Sequence, residues 1–435
     1  MFKQDFFAMR YARSRILFKH AISVIPLGSQ TFSKSHVVYP CNAAPLFLER
    51  GEGSHVWDVD GNEYIDFVNG LLPVILGYND PDVNQAAIDQ IHKGVSFSLA
   101  TPLEVELADL LTELIPCAEM VRFGKNGTDA TSAAVRIARA YTGKDQIAVC
   151  GYHGWQDWYI GTTTRNKGVP AAVCELAHKF KYNDLESLDE LLKTFPGQFA
   201  AVIMEPMNSE EPQPGFLGGV RDLTHRHGAL FILDEIITGF RYHLGGAQTL
   251  FNVIPDLATF GKSMGNGFPI SAVVGKAEYM REMEEIFFSS TFGGEAVSIA
   301  ASLATIRKMQ REPVLEKLNA HGEIILENTR KLISQYDLGE YLDIGGKPSW
   351  SLMHFRDAQN ATAWEIKSLY LQEMLARGIL TAGSHNLCYA HTADDLTQLA
   401  QAQDTAFQIL REALDSSTFR TYLAGPPIEP IFKVR

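Results

Sequence analysis

The sequence is poor in cysteine, in long apolar runs and in clusters of positive charge. Its five cysteines are scattered and show no Cys-x-x-Cys spacing, so we expect a reducing compartment and neither a metal site nor a disulfide framework. No apolar run is long enough to span a membrane, so no membrane association is expected. The net charge is −13, from 38 basic and 51 acidic residues, which disfavours nucleic acid as a partner.

A secretory signal is also lacking at the amino terminus. Arg10, Arg13, Arg15 and Lys19 interrupt every candidate apolar region there, and a cytoplasmic protein is therefore expected. With 435 residues, of which 46% are hydrophobic and 20% charged, the chain is long enough for two or three globular domains with a large core.

The pattern of secondary structure changes twice along the chain. Residues 4–24 have a loosely helical periodicity that ends at Pro26, and short strands with tight turns follow. From about residue 119, apolar strands alternate with helices, which is typical of an α/β domain with a mostly parallel sheet. After residue 310, amphipathic helices return. The predicted central strands are Met120–Phe123, Gln146–Cys150, Ala200–Met204, Ala229–Leu233, Leu257–Phe260 and Ile270–Val274.

A glycine-rich segment, Pro255–Pro269, places a lysine directly after a buried strand. The apolar run Leu257–Phe260 ends at Gly261, and Lys262 follows at once. A lysine that emerges from a buried strand end is partly desolvated, which lowers its pKa and suits it to form a Schiff base. An ordinary surface lysine after a strand is the alternative that this motif alone leaves open.

A second segment, Phe123–Thr131, lies between a strand and an alanine-rich helix. Asn126, Gly127 and Thr128 stand where backbone N–H groups and the positive helix end form an anion site suited to a phosphate. A plain helix N-cap would use the same residue types. The segment does not match GxxxxGK[ST], so a Walker-type nucleotide loop is not supported.

Three further candidates follow predicted strands. Tyr152, in Gly151–Trp155, could stack on a flat cofactor or simply pack on the core. Asp234 would place a carboxylate at the carboxyl ends of parallel strands, where it could hold a pyridinium nitrogen protonated; helix capping is the alternative role. Glu205 ends the strand before it and is a further candidate.

Together these features resemble one family, the class III pyridoxal-phosphate aminotransferases, and within it the glutamate-1-semialdehyde 2,1-aminomutases most of all. The likeness extends over most of the chain, and its motifs match in order and separation. They are Val56–Asn62, Leu103–Ala108, the Gly127-Thr128 loop, Tyr152–Gly154, Asp234-Glu235 and Gly261-Lys262. The resemblance implies the type I fold: a large cofactor-binding α/β domain over residues 71–310, and a small α+β domain built from residues 1–70 and 311–435.

The resemblance also implies a role for individual residues. Lys262 binds pyridoxal 5′-phosphate covalently and Asp234 pairs with its pyridine nitrogen, which makes both catalytic. The other cofactor-binding residues are Asn126, Gly127 and Thr128 at the phosphate, Tyr152 and Ile236 on the two ring faces, and Thr291, which reaches the phosphate of the neighbouring subunit. The last role implies a homodimer with shared active sites. Glu205, the candidate at a strand end, is also predicted to bind the cofactor.

Other positions depart from the aminomutase pattern. Lys34 stands at the approximate place of an arginine that holds the substrate carboxylate, and Gly70–Pro73 stands where the aminomutases have a tryptophan. A glutamate near the carboxyl terminus is replaced within Gly383–Asn386. The predicted substrate residues are Lys34, His153, His385 and Asn386.

The sequence therefore predicts a transaminase that moves an amino group from a donor such as glutamate to a small or sugar-like carbonyl compound. The polar pair His385 and Asn386, with the loss of an aromatic wall, favours such an acceptor. One alternative is the intramolecular aminomutase, which needs no external donor. Another is an inactive family member that acts as a binding protein, and the retention of Lys262 and Asp234 argues against it.

Overall fold

The computed structural model describes residues 2–430, which form two compact units. Within the described residues, the terminal unit comprises those up to Asp80 and those from Glu316 onward, and the central unit is Pro81–Leu315. This division falls later than the predicted boundaries at 70/71 and 310/311. One physical reason is that Tyr78 pairs with Gly53, which ties residues 71–80 to the amino-terminal strands.

The strands and helices alternate over most of the described chain. The strands are β1 Leu48–Glu52, β2 His55–Asp58, β3 Glu63–Asp66, β4 Met120–Gly124, β5 Gln146–Cys150, β6 Ala177–Lys179, β7 Phe199–Met204, β8 Leu230–Asp234, β9 Leu257–Phe260, β10 Ser271–Gly275, β11 Leu342–Lys347, β12 Trp350–Phe355, β13 Ile379–Leu380 and β14 Ser384–Asn386. The helices are α1 Phe2–Arg10, α2 Ala12–Val24, α3 Pro81–Ile91, α4 Pro102–Leu114, α5 Gly127–Thr142, α6 Asp157–Ile160, α7 Ala171–Cys174, α8 Leu185–Thr194, α9 Phe216–Arg226, α10 Ala247–Leu250, α11 Ala277–Met280, α12 Ala296–Arg311, α13 Val314–Gln335, α14 Ala363–Ala376 and α15 Ala393–Asp415.

The central unit is built on a seven-stranded sheet with the strand order β4-β10-β9-β8-β7-β5-β6. The neighbours from β6 to β9 are parallel, whereas β10 is antiparallel to both β9 and β4. Because β10 is antiparallel to both of its neighbours, β4 runs in the same direction as β9. The sheet is therefore mostly parallel, as the alternation of strands and helices predicts.

Apolar residues cover both faces of this sheet. Every residue of β7 and β8 is buried, in near-continuous apolar runs that are typical of a parallel sheet covered on both sides. One cluster of the core includes Ile203 and Ile232, and another includes Val202 and Phe231. This alternation along each strand fixes which side chains face which layer of helices.

The terminal unit contains two small sheets and the long helices α13 to α15. One sheet has the order β1-β2-β3-β13 and the other β11-β12-β14. A capping box begins α15, since the Asp395 N–H donates to the Thr392 hydroxyl at 3.2 Å and the Asp395 carboxylate accepts from the Thr392 N–H at 2.9 Å. In the part of the chain that the structure describes, no helix is both long and apolar enough to cross a membrane.

Candidate active site

The predicted site residues of the central unit follow the carboxyl ends of strands that run in one direction. Asn126 follows β4, Tyr152 follows β5 and Glu205 follows β7, while Asp234 ends β8 and Lys262 follows β9. Since these strands are mutually parallel, their carboxyl ends meet at one edge of the sheet, where α/β proteins form their binding crevices. The fold thus gathers residues that are widely separated in sequence.

Lys262 is half-buried and has left-handed backbone dihedrals, with φ of 41°. This conformation is uncommon for a residue with a side chain and is a form of strain found at functional sites. Burial lowers the pKa of Lys262 from its ordinary value to about 8; the charges of Glu205 and Asp234 oppose that shift, and the Arg241 guanidinium adds to it. The lysine is therefore suited to act as a nucleophile and a base near neutral pH.

Asp234 is held by three hydrogen bonds at the end of β8. Its Oδ2 lies 2.7 Å from Nδ1 of His153, and its Oδ1 accepts from the Ile236 N–H at 3.1 Å and from the Thr259 hydroxyl at 3.2 Å. Asp234 and His153 are both buried. A buried carboxylate fixed in this way can hold a protonated ring nitrogen by charge pairing.

His153, predicted as a substrate residue, is buried against the Asp234 carboxylate. Its ring stacks against Trp158 at 6.3 Å between centroids and meets the Tyr159 ring edge-on at 5.3 Å. Only 1% of its surface is exposed. His153 therefore contacts the site through the Asp234 carboxylate.

The helix α5 begins at the predicted phosphate loop. Asn126 is its N-cap, and the Asp129 carboxylate accepts from the Asn126 N–H at 2.7 Å in a capping box. The Thr128 hydroxyl is buried and finds no hydrogen-bond partner among the described residues. A Cβ on Gly154 would come within 2.4 Å of that hydroxyl. The loop thus offers a buried donor and a positive helix end to an anion.

Ile236 and Tyr152 lie at the same edge of the sheet. A Cβ on Gly127 would lie 3.1 Å from the Ile236 side chain, and one on Gly261 would lie 3.2 Å from it, so Ile236 sits between the phosphate loop and the lysine turn. Tyr152 is 45% exposed, and its backbone N–H donates to a Glu205 carboxylate oxygen at 3.0 Å. The geometry therefore gives Glu205 the task of anchoring the backbone of Tyr152.

Thr291 lies in an exposed turn ahead of α12. The turn is closed by a hydrogen bond from the Gly293 N–H to the Ser290 carbonyl at 3.0 Å. The neighbouring Phe292 is also largely exposed. This exposure leaves Thr291 accessible to a second molecule.

The structure corrects the prediction of His385 and Asn386 as substrate residues. The His385 ring is fully buried, with Nδ1 3.0 Å from the Ser351 hydroxyl and Nε2 3.2 Å from the Gln403 amide nitrogen, and burial lowers its pKa to about 4. Asn386 is also buried, and its amide donates to the Val68 carbonyl at 2.7 Å. Both side chains therefore stabilise the interior of the terminal unit.

Lys34 and the segment Asn69–Leu72 also belong to the terminal unit. Lys34 is exposed, and its charge favours ionisation of the buried Asp66 carboxyl, although burial is the larger effect and raises the pKa of Asp66. All four residues of Asn69–Leu72 have positive φ, between 47° and 81°. Left-handed leucines are strained, at roughly 1–2 kcal/mol per residue. The segment Gly70–Pro73, which departs from the aminomutase pattern, therefore contains two strained leucines.

Two residues of the site were not predicted from the sequence. Arg241 is fully buried, and its charge lowers the pKa of Lys262. Thr259 donates to Asp234 from within the strand β9. A threonine inside an otherwise apolar strand, and an arginine soon after a buried strand, were the available signals in the sequence.

Comparisons with known proteins agree with this geometry. The family model for class-III aminotransferases matches residues 38–414. The 3-aminobutyryl-CoA aminotransferase of Cloacimonas acidaminovorans is 38% identical over 404 residues, which cover 91% of this chain and 96% of that protein. The glutamate-1-semialdehyde 2,1-aminomutase 2 of Lachnoclostridium phytofermentans is 35% identical, over 88% of this chain and 96% of that protein.

Among solved structures, the FumI protein of Sphingopyxis sp. MTA144, in its PLP internal aldimine form, is similar with a TM-score of 0.87 and 30% identity, covering 94% of this chain and all of that one. The chain therefore belongs to the class-III aminotransferase family, whose type I fold and pyridoxal 5′-phosphate cofactor it shares.

Proposed function

We propose that the protein transfers an amino group from an external donor such as glutamate to a small carbonyl compound. The observation that carries the proposal is the pair formed by Lys262, with its pKa of about 8, and the buried Asp234 at the same edge of the sheet. A nucleophilic lysine and a buried carboxylate are the two groups that pyridoxal-phosphate transamination requires from a protein.

The residues at this edge fit the cofactor. The unpartnered Thr128 hydroxyl and the amino-terminal end of α5 would hold the phosphate. Asp234 would hold the pyridine nitrogen, Tyr152 and Ile236 would flank the ring, and Lys262 would attach it covalently. When bound, pyridoxal phosphate supplies an electron sink for the bond that breaks at the substrate carbon.

The protein contributes proton transfer and charge. With a pKa of about 8, Lys262 is uncharged in a fraction on the order of a tenth of molecules at pH 7. Its Nζ can then take a proton from the substrate carbon and return it elsewhere. Asp234 stabilises positive charge at the ring nitrogen, and His153 and Thr259 fix the orientation of its carboxylate.

The class of acceptor that we propose is narrower than the class expected from the sequence, because it no longer includes sugar-like compounds. The buried positions of His385 and Asn386 remove the reason to expect a sugar-like ligand. Lys34 remains a proposed substrate residue. A lysine offers a point charge, whereas an arginine grips a carboxylate through two parallel hydrogen bonds, so Lys34 should bind the aminomutase substrate weakly. The aminotransferase named above as a relative supports intermolecular transfer.

Steady-state assays with and without an amino donor test this proposal. We expect amino transfer that depends on an added donor, and negligible conversion of glutamate-1-semialdehyde to 5-aminolevulinate. The Lys34→Arg variant should gain activity with the semialdehyde. Efficient isomerisation by the unmodified protein without a donor would show that the chain is an aminomutase, the function that several of its relatives carry in their names.

We also propose that the protein is a homodimer in which Thr291 completes the phosphate site of the partner. Exposed apolar side chains lie in the turn of Thr291 and in the segment 95–99: Val95, Phe97, Leu99 at 85% exposure, and Phe292. The Ala296 N–H donates to the Val95 carbonyl at 2.9 Å, which ties that segment to the start of α12, shortly after the turn. Phe97 and Leu99 also line a groove of about 500 Å³. Soluble monomers rarely expose such a patch.

Sizing experiments test the dimer. The Leu99→Asp variant places a charge in the proposed interface and should elute as a monomer with weak cofactor binding. A matched control is Ile324→Asp, at an exposed apolar position on α13, which should remain dimeric. An unmodified protein that is monomeric and fully active would contradict the proposal.

A further inference from the structure

An ion pair joins the phosphate loop to the turn that carries Thr291. Nζ of Lys125 lies 2.9 Å from Oε2 of Glu295, a residue 170 positions away in the sequence. Only 15% and 13% of the two side chains are exposed. Exposed ion pairs contribute little to stability because water screens them, but this pair is largely withdrawn from water. Removing one partner would therefore leave a poorly solvated charge.

At one end, the pair is fixed to the start of α5. Lys125 directly precedes Asn126, the N-cap, and its backbone N–H donates to the Asp129 carboxylate at 3.0 Å. The Asn126 carbonyl accepts from the Ser271 hydroxyl at 2.8 Å. A displacement of Lys125 would thus disturb the first turn of α5, where the phosphate is proposed to bind.

At the other end, Glu295 is the N-cap of α12. Partial burial opposes its ionisation, but hydrogen bonds from the Ser298 hydroxyl at 2.6 Å and from Lys125 hold the pKa of Glu295 below its ordinary value. Its backbone N–H donates to the Phe292 carbonyl at 3.2 Å, within the turn that contains Thr291. Glu295 is therefore charged, and a backbone hydrogen bond ties it to that turn.

We propose that Lys125 and Glu295 are positioning residues that couple the two cofactor sites of the dimer. Phosphate at the start of α5 orders Lys125, Lys125 holds Glu295, and Glu295 holds the turn from which Thr291 reaches the partner's phosphate. Cofactor in one subunit thereby strengthens cofactor binding in the other. This inference rests on the proposed dimer.

Titration of the cofactor-free protein with pyridoxal phosphate, followed by absorbance, tests the coupling. We expect cooperative binding by the unmodified protein. Lys125→Met and Glu295→Gln should each weaken binding about tenfold and bring the Hill coefficient close to 1, while the amide oxygen of Gln still caps α12. The double variant should be no weaker than either single variant, because both remove one shared interaction.

Two controls complete the design. Lys125→Arg retains the charge and should restore cooperativity, which also shows that the position tolerates substitution. Lys193→Met removes the ion pair with Asp189 on the exposed surface of α8 and should leave cofactor binding unchanged.

The outcomes separate this inference from the proposed function. Non-cooperative binding by the unmodified dimer would overturn the coupling, as would losses that multiply in the double variant. The coupling would also be overturned if the protein is a dimer and both single variants bind pyridoxal phosphate with unchanged affinity and cooperativity. A monomer in the sizing of the same samples would instead overturn the dimer, and with it the coupling. Absence of a covalent cofactor would overturn the proposed transaminase itself.

Discussion

The replacement Asp234→Asn removes the charge at the pyridine nitrogen while preserving the shape of the side chain. The amide oxygen can still accept from the Ile236 N–H and the Thr259 hydroxyl, now at 3.1 and 3.2 Å. What disappears is the negative charge that pairs with the protonated ring and faces His153 at 2.7 Å. The fold should therefore be retained and the chemistry should not.

The expected loss follows from the burial of Asp234. Breaking a buried charge pair by removing one partner costs about 3–5 kcal/mol. Each ~1.4 kcal/mol in the barrier is a factor of ten in rate, so kcat should fall between about a hundredfold and several thousandfold. Single-turnover reaction with an amino donor, followed through the visible spectrum of the cofactor, measures this step directly.

The sheet supplies a matched control in Asp256. This aspartate is also buried and also pairs with a histidine, since its carboxylate lies 2.8 Å from His225 and accepts from the Phe231 N–H at 2.8 Å. It precedes β9 and therefore lies at the opposite edge of the sheet. Asp256→Asn should lower thermal stability and leave kcat of the folded fraction unchanged. Turnover of Asp234→Asn within tenfold of the unmodified protein would refute the reasoning.

Two further predictions concern the phosphate loop and the lysine. Gly154→Ala places a Cβ 2.4 Å from the Thr128 hydroxyl and should weaken pyridoxal-phosphate binding at least about tenfold in a fluorescence titration. Gly168→Ala is the control: its φ is similarly positive but no atom lies within 4 Å of the added Cβ, so binding should not weaken. Equal losses in the two variants would contradict the role of the Thr128 hydroxyl in phosphate binding. In cofactor-free protein, burial lowers the pKa of folded Lys262 to about 8, so between that pH and its ordinary value of 10.5 the unfolded chain binds more protons and stability rises with pH. Lys262→Met should thus be the more stable protein below pH 8 in thermal unfolding, by a margin that shrinks as pH rises toward 10.5; a margin independent of pH would contradict the burial of the ammonium.

The sequence predicts the features of this fold that arise from local patterns. Lys262 and Asp234 could be predicted because each stands at the end of an apolar run, and these runs form the strands β9 and β8. The strand β6 was not predicted, because Ala177–Lys179 is only three residues long and two of them are polar, so it has no readable period.

The contacts between distant residues could not be predicted in the same way. His153 and Asp234 are 81 residues apart, and only the parallel strand order brings them together. From the sequence alone, a polar residue such as His385 can be taken for a pocket residue because its partners are unknown. In the structure, its ring nitrogens contact Ser351 and Gln403 inside the terminal unit. Polarity in a sequence does not show whether a side chain is bound to ligand or to its own fold.

The site of covalent cofactor attachment tests the account most directly. Borohydride reduction of the pyridoxal-phosphate protein, followed by proteolysis and mass spectrometry, identifies the modified lysine. The chain contains an internal competitor, since burial also lowers the pKa of Lys367 to about 8, although Lys367 lies on α14 in the terminal unit. We predict that the cofactor is found on Lys262 alone and that Lys262→Ala abolishes the modification. Attachment to Lys367, or to any other lysine in the unmodified protein, would contradict the account.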